Sequence, residues 1–155
     1  VSILGLFPSN SGVAVFLGND EKTFSIHVDH GVGTSIAMLL RGQKRERPLT
    51  HDLIDLIFKA FHITVQKIVI NDLRNDTYFA RLTLKAENEI HKKITEIDAR
   101  PSDCLAIALE EDQPIYVSSA VWNKVTDISE VLEEMKQKLK ESEDEDDDDQ
   151  IGFDK

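Results

Sequence analysis

Asp98, Arg100 and Asp103 crowd into the stretch IDARPSDCLAIAL, on either side of Pro101 and directly before a run apolar enough to be core. An arginine beside carboxylates at the edge of an apolar helix suits two kinds of work. It can fix a helix start by ion pairing, or it can offer a guanidinium fork to a phosphate while a carboxylate holds a metal or activates water. Asp72 and Glu96 also fall near expected strand ends, so Asp72, Glu96 and Asp98 are carboxylates that a fold could gather around Mg²⁺ or Mn²⁺, with Asp72 and Asp98 as the candidate metal ligands. The basic complement is Lys44, Arg45, Arg47, Arg74, Arg81 and Arg100, a candidate electropositive strip for phosphates. Thr50-His51-Asp52 places a histidine at an expected helix start, where backbone N–H groups and the helix dipole favour an anion and the imidazole could move a proton. Each of these has a plain structural reading as well: an ion pair, a cap, or a charged face in water. His27, His30, His62 and His91 have no partner ligand at helical spacing, and no Cys/His grouping has zinc spacing.

Such residues act only where the surrounding elements bring them together. Alternation in Ile3–Phe7, Val13–Leu17 and Phe24–Val28, separated by turns rich in Gly, Asn, Asp and Pro, predicts three short antiparallel strands. Val32, Ile36, Leu39 and Leu40 recur at helical spacing until Gly42. Thr50 reads as the N-cap of a second helix, with Asp52 in its first turn and Leu53, Leu56, Ile57, Ala60 and Phe61 in one apolar stripe. Ile63 and Val65 alternate in one phase and Ile68 and Ile70 in the other, which predicts a bulge near Gln66-Lys67. A turn within NDLRNDT then makes a hairpin with the strand through Tyr78, Ala80, Leu82 and Leu84. A more polar strand from about Ile90 to Asp98 belongs at a sheet edge, and Pro101 opens a helix that runs to about Glu111. QPIYVSS reads as a short strand and Ser119 as the cap of a brief helix containing Trp122. Ile128, Val131, Leu132, Met135 and Leu139 mark a final amphipathic helix. The fold class is α+β: a mixed β-sheet with several packed helices in a single domain over residues 1–140.

The net charge of −11 is unevenly placed, because residues 141–155 alone carry −8. That block reads as a disordered acidic tail, since so polar a segment cannot bury enough apolar surface to offset its ordering. The fold itself is only mildly acidic, so nucleic acid remains open to it as a partner, with the tail as a flexible polyanion that competes for the basic strip. A lone cysteine, Cys104, points to a reducing compartment, read here as the cytoplasm. No apolar run approaches the roughly 18 residues of a membrane span, so no membrane partner is expected. No sequence feature calls for an organic cofactor. The N-terminal strands are apolar on both faces in places (Leu4, Leu6, Phe16), so that surface needs cover from a helix or from a second chain.

Three segments, RPLTHDLI, IVINDLRNDTYFARLTL and EIDARPSDCLAIAL…PIYVS, taken in that order and at these separations, closely resemble the bifunctional nuclease domain family. The resemblance implies an α+β fold, DNase and RNase activity, and a homo-oligomer, most simply a dimer. Where members often carry Ile-Gly-x-x-Glu-Ala ahead of the first helix, this chain has Asp29 in place of glycine and Val32 in place of glutamate. The expected function is hydrolysis of DNA or RNA phosphodiesters, metal-assisted and weakly sequence-specific. Asp98, Asp103 and Asp72 would activate metal or water, His51 would transfer a proton, and Arg100, Arg74 and Arg47 would contact phosphate. The alternative is a non-catalytic, homo-oligomeric regulatory or ligand-binding module whose motif residues are structural.

Overall fold

The computed structural model describes residues 1–43 and 46–148, so Lys44, Arg45 and the end of the acidic block lie outside the described residues. Strands β1 (Ser2–Ser9), β2 (Gly12–Gly18) and β3 (Thr23–Val28) form an antiparallel sheet with β2 in the middle. Alternation along β2 sends Val13, Val15 and Leu17 into the main core and Ala14 and Phe16 to the opposite face. Helix α5 (Ser129–Asp148) lies on that second face, where Leu132 is buried and Ile128 and Met135 are partly buried. The cover that the N-terminal strands require is therefore supplied from within the chain. The backbone of α5 continues past Lys140 into the acidic block, where the sequence placed the start of a tail.

The second sheet has the order β6 (Lys92–Ala99), β5 (Thr77–Glu87), β4 (Ile63–Arg74), β7 (Ile115–Val117), with β7 parallel to β4 and the other pairs antiparallel. The β4–β5 register slips between Val65 and Lys67, where the change of phase predicts a bulge, and again between Ile70 and Asp72. The hairpin closes on Asn75 and Asp76, whose φ values of 47° and 59° give the left-handed pair that matches the twist of the flanking strands. Polar β6 takes the exposed edge.

Helix α3 (Pro101–Glu110) runs through the middle, with Cys104 to Ala108 buried, and α1 (His30–Leu40) and α2 (Thr50–Ala60) flank it. Gly33 lets α1 sit directly on β2, since a Cβ there would come within 2.3 Å of Val13 Cγ2. Two caps fall one residue earlier than the sequence indicates. Thr50 is the first helical residue of α2, and the Asp52 carboxylate accepts the Leu49 N–H at 2.6 Å. Ser118, not Ser119, caps α4 (Ser119–Trp122), and its hydroxyl also donates to the Asn71 carbonyl. The larger departure is the rotation of α2 about its axis. His51 and Asp55 are buried and Ile54 and Phe58 pack on the core, whereas the stripe Leu53, Leu56, Ile57 and Phe61 faces outward. The molecule is an α+β single domain, built on two sheets rather than one.

Candidate functional site

Strand β6 ends at Ala99 and the chain turns into α3 at Arg100, whose extended backbone (φ −67°, ψ 141°) suits the residue before a proline. Proline at the first helical position has no N–H to satisfy, and the arginine side chain reaches forward along the first turn. Its Nε donates to Asp103 Oδ2 at 2.9 Å and its Nη2 to Asp103 Oδ1 at 3.1 Å, a two-bond pairing that fixes the plane of the fork. His51 comes from α2 to the same carboxylate, with Nε2 at 3.4 Å from Oδ1, the long end of hydrogen-bonding range. Burial pushes the Asp103 carboxyl upward, but the Arg100 hydrogen bonds and charge, together with His51, outweigh it and hold it below the usual range. The Asp103 contact raises Arg100 above its already high value, so the guanidinium is permanently charged. Its side chain stays 67% exposed, which leaves the rest of the fork open to a ligand.

A cleft of about 350 Å³ opens beside it, lined by Asp29, Asp76, His27, Tyr78, Arg100 and Ser102, among others. Three local structures build it: the end of β3 running into α1, the β4–β5 turn, and the start of α3. Asp29 is the N-cap of α1, accepting the Val32 N–H at 2.9 Å, and its charge reaches Arg100. Burial raises the Tyr78 phenol, which stays protonated at neutral pH. Asp76 holds its place in a left-handed conformation that a side chain adopts only at a penalty. Asp76→Gly is therefore expected to raise stability by about 0.5 kcal/mol, since glycine relieves the backbone. Urea denaturation of the two proteins side by side measures it.

The other candidate residues stand apart. Asp72, on β4, takes hydrogen bonds from Arg74 Nε at 2.6 Å and the Leu73 N–H at 2.8 Å, with Lys124 Nζ at 3.7 Å. The Arg74 hydrogen bond chiefly holds its carboxyl below the usual range. Arg74 also lies over the Phe79 ring at 4.9 Å. Asp98 is exposed on β6 opposite Arg81, while Arg81 reaches Glu96 at 3.5 Å. Asp72 and Asp98 thus sit on the strands either side of β5, about 10 Å apart across the sheet by strand spacing alone. With Asp72 already neutralised by two cations, this pair does not fit a shared metal. Among the described residues no group of three or more His, Cys, Asp or Glu is placed to hold one. Arg47 lines a different cavity, of about 430 Å³, with Asp52, Asp55 and Leu56.

The structure therefore joins Arg100, Asp103 and His51, and leaves Asp72, Arg74, Asp98 and Arg47 outside that group. Sequence reasoning missed His27, Asp76 and Tyr78, which no spacing rule links to Arg100. Asp76 reads in sequence only as a turn residue, and the turn's proximity to α3 is a property of the sheet. Cys104 is buried, which pushes its thiol up to about 12 and makes it unreactive. No helix among the described residues is long and apolar enough to cross a membrane.

A model of the bifunctional nuclease domain matches residues 15–130. Two relatives from strains of Mycobacterium tuberculosis, uncharacterized protein MT1877 and uncharacterized protein Rv1829, are each 34% identical over 115 residues. The match takes in 74% of this chain and 66% of theirs, so the chain spans just under two thirds of their length.

Proposed function

Because the chain belongs to the bifunctional nuclease domain family, we propose that it hydrolyses phosphodiester bonds of DNA or RNA at the cleft in front of α3. One observation supports this above the rest: the Arg100 fork is oriented by Asp103 yet open to a cleft that also carries carboxylates, a histidine and a phenol. Arg100 would grip the non-bridging phosphate oxygens and stabilise the charge that builds on them as water attacks. The attacking water adds through its oxygen to phosphorus and gives its proton to Asp29 or Asp76. The leaving sugar oxygen departs with the P–O bonding electrons and takes a proton from His27 or Tyr78. Asp103 and His51 are positioning residues that set the fork's plane. An arginine that reads phosphate carries no base information, so cleavage would be weakly sequence-specific. With Asp72 and Asp98 apart, no step is routed through a metal. The single buried thiol fits the cytoplasm as the place of action.

The test is cleavage of single- and double-stranded DNA and RNA by purified protein in Mg²⁺, Mn²⁺ or EDTA, alongside Arg100→Lys prepared identically. Arg100→Lys keeps the charge and loses the fork, so activity should fall about tenfold. Equal activity in wild type and variant would assign the cleavage to another site or to a contaminant. The engagement of Asp103 by both Arg100 and His51 favours a second reading, a ligand-binding module whose arginine holds a phosphate without cutting. Oligonucleotide binding that weakens in Arg100→Lys, with no cleavage in any metal, would select it.

A further inference from the structure

A cavity of about 270 Å³ opens at the β7 edge of the second sheet, lined by Asn19, Tyr116, Val117, Ser119 and Trp122, among others. Strand alternation turns Tyr116 to the face opposite buried Ile115, where it stands 47% exposed beside Val69. Trp122 closes α4, whose start is pinned by Ser118 to the Asn71 carbonyl. The indole is fixed from within the fold. Phe24 meets it edge-on at 6.2 Å between centroids, and Lys22 Nζ, which donates to the Trp122 and Val125 carbonyls at 2.9 and 3.1 Å, lies 5.4 Å from the ring centre. Lys67 Nζ lies over the Tyr116 ring at 5.6 Å. Two rings, each with an ammonium at one face, thus border the same cavity. Its polar groups are unspent. Asn19 uses only its Oδ1, accepting from the Glu21 and Lys22 N–H groups, and among the described residues its amide N–H, the Trp122 indole N–H and the Tyr116 and Ser119 hydroxyls have no hydrogen-bond partner.

We propose that this cavity seats one unpaired nucleobase against Tyr116 and Trp122, so that the chain takes single-stranded nucleic acid. The choice of occupant rests on the reading of the chain as a phosphodiesterase, and the chemistry of the cavity fits it. A nucleobase is apolar on its faces and polar at its rim, which matches aromatic walls combined with unspent donors. An aliphatic side chain would leave those donors unpaired, and a phosphate has no face to stack. Lys67, with no carboxylate in ion-pair reach among the described residues, is left to meet the phosphate beside the base. The cavity is also close to the Arg100 cleft. Phe24 lies 5.9 Å from Tyr78, which lines the cleft, and 6.2 Å from Trp122, so one buried ring separates the two sites. In a duplex every base is stacked and paired, and seating one would first require pulling it out. All four bases have a face to stack, so the selection is for strandedness rather than for sequence.

Trp122 is the only tryptophan of the chain, so its fluorescence reports on the cavity directly. Titration of the full chain with adenosine monophosphate should quench it saturably, with a dissociation constant of about 1 mM, whereas ribose 5-phosphate, the same sugar phosphate without the base, should not. Tyr116→Ala, at a half-exposed position, should keep the circular dichroism spectrum and weaken adenosine monophosphate about tenfold. A mixed-sequence single strand should quench, and the same strand annealed to its complement should not. Adenosine monophosphate has no diester to cut, so a chain without nuclease activity would leave this result standing, and cleavage without quenching would remove the cavity's role alone. No quenching by adenosine monophosphate up to about 10 mM, equal quenching by ribose 5-phosphate or by the duplex, or a Tyr116→Ala affinity equal to wild type would overturn the proposal.

Discussion

Asp103→Ala is expected to lower nucleic-acid cleavage up to about tenfold, no further than loss of the fork itself in Arg100→Lys, and to remove about 2 kcal/mol of stability. One carboxylate carries three contacts, two from Arg100 and one from His51. Without it the fork is free to rotate about its long side chain, so the geometry that would meet the phosphate must be found again in each encounter. His51, 8% exposed, keeps a desolvated ring with no partner on that side. Loss of one partner from a buried charged pair is typically 3–5 kcal/mol, and the openness of Arg100 to water brings the figure down. Asp98→Ala is the matched comparison. Asp98 is exposed on the edge strand and lies outside the Arg100 cluster, so its variant should stay within about 0.5 kcal/mol and keep its activity. Cleavage rates and urea midpoints of the two variants, measured side by side, decide the matter. Inactive Asp98→Ala with active Asp103→Ala would reverse the assignment.

That contrast shows what the order of residues reveals and what it does not. Local signals were legible because they arise within a few residues: the Val65–Lys67 bulge from a change of phase, the start of α3 from Pro101, the edge position of β6 from its polarity. Arg100 and Asp103 are three residues apart on one helical turn, so their pairing is likewise a local matter. Asp72 and Asp98 are local to nothing. They share a sheet, but which strand lies between them depends on the pairing order, and β5 takes that place. The same holds for Asp29 and Asp76, 47 residues apart, which reach one cleft because α3 brings Arg100 up between the β4–β5 turn and the start of α1.

The orientation of α2 was illegible for a different reason. Periodicity reports that one face of a helix is apolar, and the rule that apolar faces go inward supplies the rest. The rule presumes that no polar contact competes for the inner face. In α2 the inward side is fixed by polar ties, His51 to Asp103 and Asp55 to the end of α3, so the apolar stripe is left on the outer side. A helix wheel identifies the stripe correctly and cannot tell which way it is turned.

Those inward ties also govern the response to pH. Asp55 meets Glu111, just past α3, in a carboxyl pair, and Asp55 Oδ1 and Glu111 Oε1 are buried with no donor on either. A proton shared between them would supply the missing donor. The Asp55 hydrogen bond, reinforced by burial, pushes Glu111 up to about 7 from 4.5, while burial's upward push on Asp55 is outweighed by its bonds to Glu111 and to Lys59, the latter at 2.5 Å. Between these two Glu111 values the folded state holds a proton that the unfolded chain has lost, so stability falls as pH rises through the window. The carboxylates of Asp55, Asp72 and Asp103, all held low, act the other way and lose their contribution in acid, so stability should peak near pH 5. From that peak to pH 8 the fall should be about 2 kcal/mol, less than the full shift implies because Glu111 is partly in water. Glu111→Gln puts a permanent donor opposite Asp55. It should match wild type at pH 5, exceed it by about 2 kcal/mol at pH 8, and flatten the slope between. Urea denaturation at pH 5, 6.5 and 8, at constant ionic strength and protein concentration, measures all three. A wild type whose stability rises steadily from pH 5 to 8, or a Glu111→Gln slope equal to that of wild type, would show that the pair shares no proton.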